Sequence, residues 1–334
     1  MIYRYPEYCE KFRCIADKCR DSCCIGWEID IDPETLVYYG SIGGGFGERL
    51  RRGISGGAFV LGEDERCPFL NSKGLCDIYT ELGEEHLCRI CSDHPRYFEW
   101  FEGVKEGGVG LSCEAAAELI ISSDFRLKEK EVPEEAAPGH SPELYSLLLS
   151  AREEMLRRLE TDELRSALRW MLAWAEELQS RMDNGELTLP EDTGEQEASA
   201  PDAKSVLEYF RGLETLDPCW PELLKTVEKQ TGAAPLTYEQ EVCLRRIGAY
   251  FLYRYFMKGV FDGEILSRVK LAAVSVWVIG WLWRTTGTGG TADIPRRYSK
   301  EIEYCEENIE AFLDSTYEED FFTSAGIAGL LSIL

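Results

Sequence analysis

From about residue 141 onward, apolar side chains recur at the helical period. "PELYSLLLSAREEMLRRLETDELRSALRWMLAWAEELQSRM" predicts two helices meeting near Thr161–Asp162. "LTYEQEVCLRRIGAYFLYRYFMKGVFD" predicts a long helix rich in aromatics, and another is expected from about Glu264 to Trp283. Two more are expected at 295–313 and 317–332. The apolar run "LAAVSVWVIGWLW" (Leu271–Trp283) is short for a bilayer span and predicts a buried helix. Residues 1–130 have no such long pattern. There "WEIDID" alternates and predicts a short strand, and "CPFLNSKGLCDIY" predicts a hairpin or knuckle-like turn at Asn71–Gly74. "CEAAAELIIS" predicts a helix start with Ser112 as N-cap.

Two polar segments punctuate the chain. "KEKEVPEEAAPGHSPE" (128–143) combines charge with three prolines and is taken as the boundary between a 1–130 domain and a 131–334 domain. "NGELTLPEDTGEQEASAPD" (184–202) predicts a flexible loop between helices. The expected fold is mainly α: a small, irregular, cysteine-rich α+β region followed by a helical bundle or array. Two glycine-rich stretches, "SIGGGFGERL" (41–50) and "TTGTGGTAD" (285–293), lack the preceding buried strand of a nucleotide fingerprint. They read as a loop before a short helix and a helix-ending loop.

Charge narrows the function classes. The 334-residue chain has a formal net charge of −25. Residues 1–130 hold 16 basic and 24 acidic groups, and residues 131–334 hold 20 and 37. Such a surface repels phosphate backbones and argues against nucleic-acid binding. It keeps the chain soluble and suits a lysine-bearing protein substrate. "MIYRYPEYCEKFRC" has no apolar signal core or cleavage site, so neither secretion nor membrane insertion is expected. The expected location is the cytoplasm, where thiols stay reduced.

Ten of the 13 cysteines lie at or before Cys113. An odd total fits disulfide pairing poorly, so the clustered thiols read as metal ligands. The first cluster is Cys14, Cys19, Cys23 and Cys24, preceded by Cys9; the second is Cys67, Cys76, Cys88 and Cys91, followed by Cys113. Thiolates bind soft or borderline ions, and Cys88-x2-Cys91 is a bidentate spacing. The nine thiols from Cys14 to Cys113 form the candidate ligand set, with Cys19, Cys23 and Cys24 completed by cysteines from 67–113. Adjacent side chains diverge, so one of Cys23 and Cys24 is expected to ligate while the other packs, supports the site or serves a second one. For Cys9, Cys219, Cys243 and Cys305 the simpler expectation is a small buried hydrophobe. Spacing does not separate zinc from iron–sulfur, because neither the bacterial nor the plant-type ferredoxin pattern is present.

"FRCIADKCRDSCCIGWEIDID", "FVLGEDERCPFLNSKGLCDIYTELGEEHLCRICSDHPRYF" and "GLSCEAAAELI" resemble the flagellin lysine-N-methylase (FliB) family, densely from about Phe12 to Ser122. The first two blocks also resemble cysteine-cluster proteins described as zinc- or iron-chelating. The resemblance implies a protein lysine methyltransferase with S-adenosylmethionine as donor, an iron–sulfur (4Fe-4S) cluster rather than zinc as cofactor, and flagellin as partner. Lysine methylation needs a neutral amine, and at a reference pKa near 10.4 only about one lysine in a thousand is neutral at pH 7.4. Asp93, His94 and Glu114 are polar groups beside the cysteines. "AYFLYRYF" (249–256) is either core or an aromatic wall for the amine. The competing reading is a cysteine-rich interaction module with structural metal and no catalysis.

Overall fold

The computed structural model describes residues 1–62, 64–228 and 234–334. β1 (Ile2–Pro6) is followed by α1 (Pro33–Ser41), α2 (Gly44–Arg52), a ribbon of β2 (Ile54–Ser55) and β3 (Ala58–Phe59), α3 (Asp77–Leu82) and α4 (Arg89–Asp93). Next come β4 (Arg96–Phe101), β5 (Val104–Val109), α5 (Glu114–Ser122) and β6 (Leu127–Glu131). The main sheet has the order β4-β5-β1-β6. β1 runs parallel to β5 and antiparallel to β6, with Ile2 opposite both Val104 and Glu131.

The rest is helical: α6 (Pro142–Thr161), α7 (Leu164–Asp183), α8 (Ala203–Gly212), α9 (Cys219–Glu228), α10 (Tyr238–Tyr255), α11 (Gly259–Asp262), α12 (Leu266–Thr286), α13 (Asp293–Glu303), α14 (Glu306–Glu318) and α15 (Ser324–Ser332). The fold is thus mainly α with a small α+β region at its N-terminal end. Local chemistry sets the helix starts. Ser141 caps α6 by accepting from the Leu144 N–H, with Pro142 in the first turn, and Thr237 and Gln240 form a reciprocal capping box on α10. Gly287, at φ 71°, ends α12 in the left-handed conformation. α12 is long and apolar enough to cross a membrane, but 94% of its apolar window is buried inside the fold. It is the central helix of the core.

Buried side chains form two clusters. The larger joins Tyr8, Phe12, Phe101, Leu111 and Ile120 to the helices through Leu148, Met155, Tyr250, Phe251 and Trp277. The smaller is built from Ile29, Tyr39, Leu50, Phe59, Phe69 and Ile78 with the thiols of Cys67 and Cys88. The 184–202 segment has no regular structure. It is tied down by Gln196 N–H to the Arg169 carbonyl (3.1 Å) and Ser199 N–H to the Ala325 carbonyl (3.0 Å).

Three local expectations change. "WEIDID" is no regular strand: it makes a single bridge, Asp30 to Ala58, with Phe59 N–H donating to the Ile29 carbonyl and Ile31 N–H to the Gly57 carbonyl, before Asp32 caps α1 by accepting from the Thr35 N–H at 3.0 Å. The N-cap of α5 is Cys113, and the Ser112 hydroxyl is buried with no hydrogen-bond partner. The helix expected at 295–313 breaks at Tyr304–Cys305 into α13 and α14.

Candidate metal centre

All 13 cysteines are free thiols. The sequence-predicted nine divide around the Cys23–Cys24 turn, which is closed by a hydrogen bond from Ile25 N–H to the Ser22 carbonyl at 3.1 Å. Both cysteines occupy its corners, with their side chains adjoining each other.

On one side lie Cys24, Cys67, Cys76, Cys88 and Cys91. The Cys67 N–H donates to the Cys24 carbonyl at 2.8 Å, and Leu70 bridges Cys76 across the Asn71–Gly74 turn. Cys24, Cys76 and Cys91 pack against the small core that contains Cys67 and Cys88. Nearby backbone N–H groups favour the thiolates: Phe69 and Leu70 at Cys67, Tyr79 and Ile78 at Cys76, Cys91 at Cys88. Burial nevertheless pushes Cys67 up to about 11 and also raises Cys76. A hydrogen bond from Cys23 pulls Cys24 down to about 7, with Ser22 and Arg66 assisting.

On the other side lie Cys14, Cys19, Cys23 and Cys113. Arg20 fixes them: its backbone N–H and its Nε reach the two carboxylate oxygens of Glu114 at 2.9 and 2.7 Å, setting Cys19 beside Cys113. Burial raises Cys19 and Cys113, and each of these two feels the charge of Cys14. Cys23 feels both Cys14 and Cys113. Cys14 and Cys23 are exposed.

Both sets carry the donor chemistry of a thiolate-bound centre, while, among the described residues, no three of the nine sulfurs lie within 4.8 Å of one another. The donors are soft, they lie close enough to sense one another's charge, and N–H groups near sulfur stabilise thiolates. The same donor chemistry serves zinc and iron–sulfur alike. Among the described residues, the set of three potential ligands within 4.8 Å of one another is Glu214, Cys305 and Glu307, apart from the nine. Of the four cysteines expected to be small buried hydrophobes, Cys305 is buried and Cys9 and Cys243 are half-buried, whereas Cys219 is exposed at the start of α9.

The Cys19–Trp27 segment docks on α13. Asp21 pairs with Arg296 and, at 3.3 Å, with Lys300. Trp27 meets Tyr304 edge to face at 5.3 Å between ring centres, and Lys300 Nζ lies 5.6 Å over the Trp27 ring. Beside this contact is a cleft of 380 Å³ whose walls include Arg20, Asp21, Asp217, Asp293, Arg296 and Lys300. A larger cleft of 480 Å³, between Glu154, Arg158, Trp170, Trp174 and Asp192, contains no cysteine.

His94 packs edge to face on Tyr304 at 6.2 Å, and burial holds its pKa down at about 4, so its ring is neutral at pH 7. Glu114 is committed to Arg20. The "AYFLYRYF" aromatics are core: Tyr250, Phe251, Tyr253, Tyr255 and Phe256 are buried. Sequence reasoning missed the group behind Tyr304. There the fully buried Glu303 accepts from the Tyr250 and Tyr255 hydroxyls at 2.9 Å each and pairs with Arg254 at 3.0 Å, while its Oε2 has no partner. Nothing in a helix of mixed charge distinguishes one inward-facing glutamate from solvated neighbours.

Comparison with known proteins gives the functional direction. The chain is 26% identical to the lysine-N-methylase of Salmonella typhimurium (strain LT2) over 143 residues, covering 38% of this chain and 35% of that protein. This chain is similar to lysine methylases. The lysine-N-methylase of Salmonella choleraesuis matches to the same extent. The flagellar biosynthetic protein FliU of Salmonella muenchen is 25% identical over 131 residues, covering 35% of this chain and 75% of that protein. The match spans about a third of the length of the two methylases. No family model and no solved structure matches the chain.

Proposed function

We propose that this protein is a lysine N-methyltransferase that modifies flagellin, takes its methyl group from S-adenosylmethionine and holds an iron–sulfur cluster on its clustered cysteines. The observation that carries the reading is the docking of a thiol set on the helical part of the fold, beside an ionic cleft, in a chain similar to lysine methylases. Clefts at such junctions are the usual place for small ligands. The acidic and basic side chains of this one suit the ammonium and carboxylate of an amino-acid end, which the donor carries. The cluster would sit on cysteines of the Cys14–Cys113 set and supply a redox-capable, Lewis-acidic centre.

This chain's own residues would do the rest. Arg296 and Lys300 would orient the donor carboxylate, and Asp21 and Asp293 its ammonium, by exchanging the ion pairs they make with one another. The acidic surface draws in a lysine-rich target. Transfer needs the lysine nitrogen, methyl carbon and sulfur in line, and the amine must first lose its proton.

The test is to incubate anaerobically prepared protein with flagellin and S-adenosylmethionine and to map lysine mass increments. Methylated flagellin lysines are expected. A metal-loaded protein that neither binds the donor by calorimetry nor modifies flagellin would leave the interaction-module reading in its place.

A further inference from the structure

We infer that the nine clustered cysteines build two metal centres rather than one: an inner centre on four of Cys24, Cys67, Cys76, Cys88 and Cys91, and a junction centre on Cys14, Cys19, Cys23 and Cys113. The neighbouring Cys23 and Cys24 mark the border. This rests on the metal part of the proposed function and not on methyl transfer.

The division is visible in the packing. The inner thiols belong to the smaller hydrophobic cluster, with Tyr39, Phe69 and Ile78 around them. Cys113 packs instead against the large helical core. The inner set is held by contacts within residues 24–91: the Cys67 N–H to the Cys24 carbonyl, the Leu70–Cys76 bridge, and the Tyr39 hydroxyl donating to the His86 carbonyl at 2.7 Å just before Cys88. The junction set is held by a different contact, Arg20 to Glu114. Cys23 and Cys24 sit at successive corners of one turn, where the two sets meet: the Cys23 thiol adjoins Cys24, and beyond it Cys23 faces Cys14 and Cys113.

The surroundings differ as the two tasks would require. The inner thiols lie in a region with a thin apolar core, where a four-thiolate ion such as zinc supplies folding free energy that burial alone does not. The junction thiols include the exposed Cys14 and Cys23, and Asp21, next to Cys19 and Arg20, lines the ionic cleft. A centre there is reachable by a small molecule in the cleft. Two tetrathiolate centres need eight sulfurs, and the nine leave one spare on the inner side.

The experiment titrates Zn²⁺ into the reduced, metal-free full-length chain under argon. Bound zinc is counted by dye competition, and protected thiols are mapped by alkylation and mass spectrometry. Two equivalents are expected, with Cys14, Cys19, Cys23 and Cys113 protected together and the inner thiols protected as a separate set. Cys67→Ser/Cys76→Ser should retain one equivalent on the junction thiols, and Cys19→Ser/Cys113→Ser one equivalent on the inner thiols. Saturation at one equivalent protecting thiols of both sets would overturn the inference, as would a folded double variant that loses both equivalents. If a variant melts by circular dichroism, the protection map of the unaltered chain decides alone. A chain that binds two equivalents but transfers no methyl group supports this inference while removing the methylase reading.

Discussion

Arg152 on α6 donates to both carboxylate oxygens of Glu106 on β5, at 2.6 and 2.5 Å, with the two side chains only 1% and 4% exposed. This buried bidentate pair joins the sheet to the helical core. Arg4 on β1 adds a further hydrogen bond to Glu106 at 3.2 Å, and the Tyr253 carbonyl accepts from Arg152 at 3.3 Å. The sheet therefore meets the helices through a charge that neither part can leave unpaired.

Arg152→Met should cost about 3–5 kcal/mol in urea unfolding, because it strands the buried Glu106 with Arg4 as its remaining cationic partner. Combining it with Glu106→Leu should recover much of that loss, since the pair is costly mainly when half-removed. A loss under about 1 kcal/mol for the single variant would show that the contact does not hold the parts together.

Gly110 is a close-approach position. A methyl group there would run into the Tyr304 hydroxyl and come within 3.4 Å of Arg254 Nη1. Gly110→Ala should destabilise by about 1–3 kcal/mol and disturb the Tyr304–Trp27 contact. Adding Tyr304→Phe should relieve part of the clash, and a double-mutant cycle showing strict additivity would contradict this geometry.

Metal affinity should rise steeply with pH. Burial raises Cys19, Cys67, Cys76 and Cys113, so an incoming ion must displace protons from them. Zinc competition below pH 8 should show roughly tenfold or greater tightening per pH unit. Chelation should loosen the small core around Phe69 while the helical core persists, as hydrogen exchange can show. A pH-independent affinity would exclude thiols as ligands.

Alkaline pH should destabilise the metal-loaded chain. Burial holds Tyr8, Tyr97, Tyr250, Tyr253 and Tyr255 well above 10. Above about pH 10 the unfolded chain has released these protons and the folded chain has not, so stability must fall as pH rises. Their contribution is complete below about pH 9. Calorimetric melting between pH 8 and 11 should show a steady decline, with phenolate absorbance appearing only on unfolding. Phenolates that form before the melt would contradict the burial of these rings.

The sequence alone determined the helical two thirds and the thiol-rich site, because both rest on local information. The apolar period marks α6, α7, α10 and α12, and Pro142, Thr237 and Gly287 punctuate them without help from distant residues. The nine sulfurs were equally visible, since few tasks other than metal binding gather thiols at that density. Which cysteine-bearing segments lie side by side is a tertiary matter. That choice depends on contacts between distant residues, Cys24 with Cys67 and Arg20 with Glu114, which no spacing rule contains. The same holds for β1, whose place between β5 and β6 joins residues about a hundred positions apart. Glu106 and Glu303 look like ordinary surface acids in the sequence; they become buried partners of Arg152 and Arg254 only because the strand and helix that carry them are enclosed by other elements.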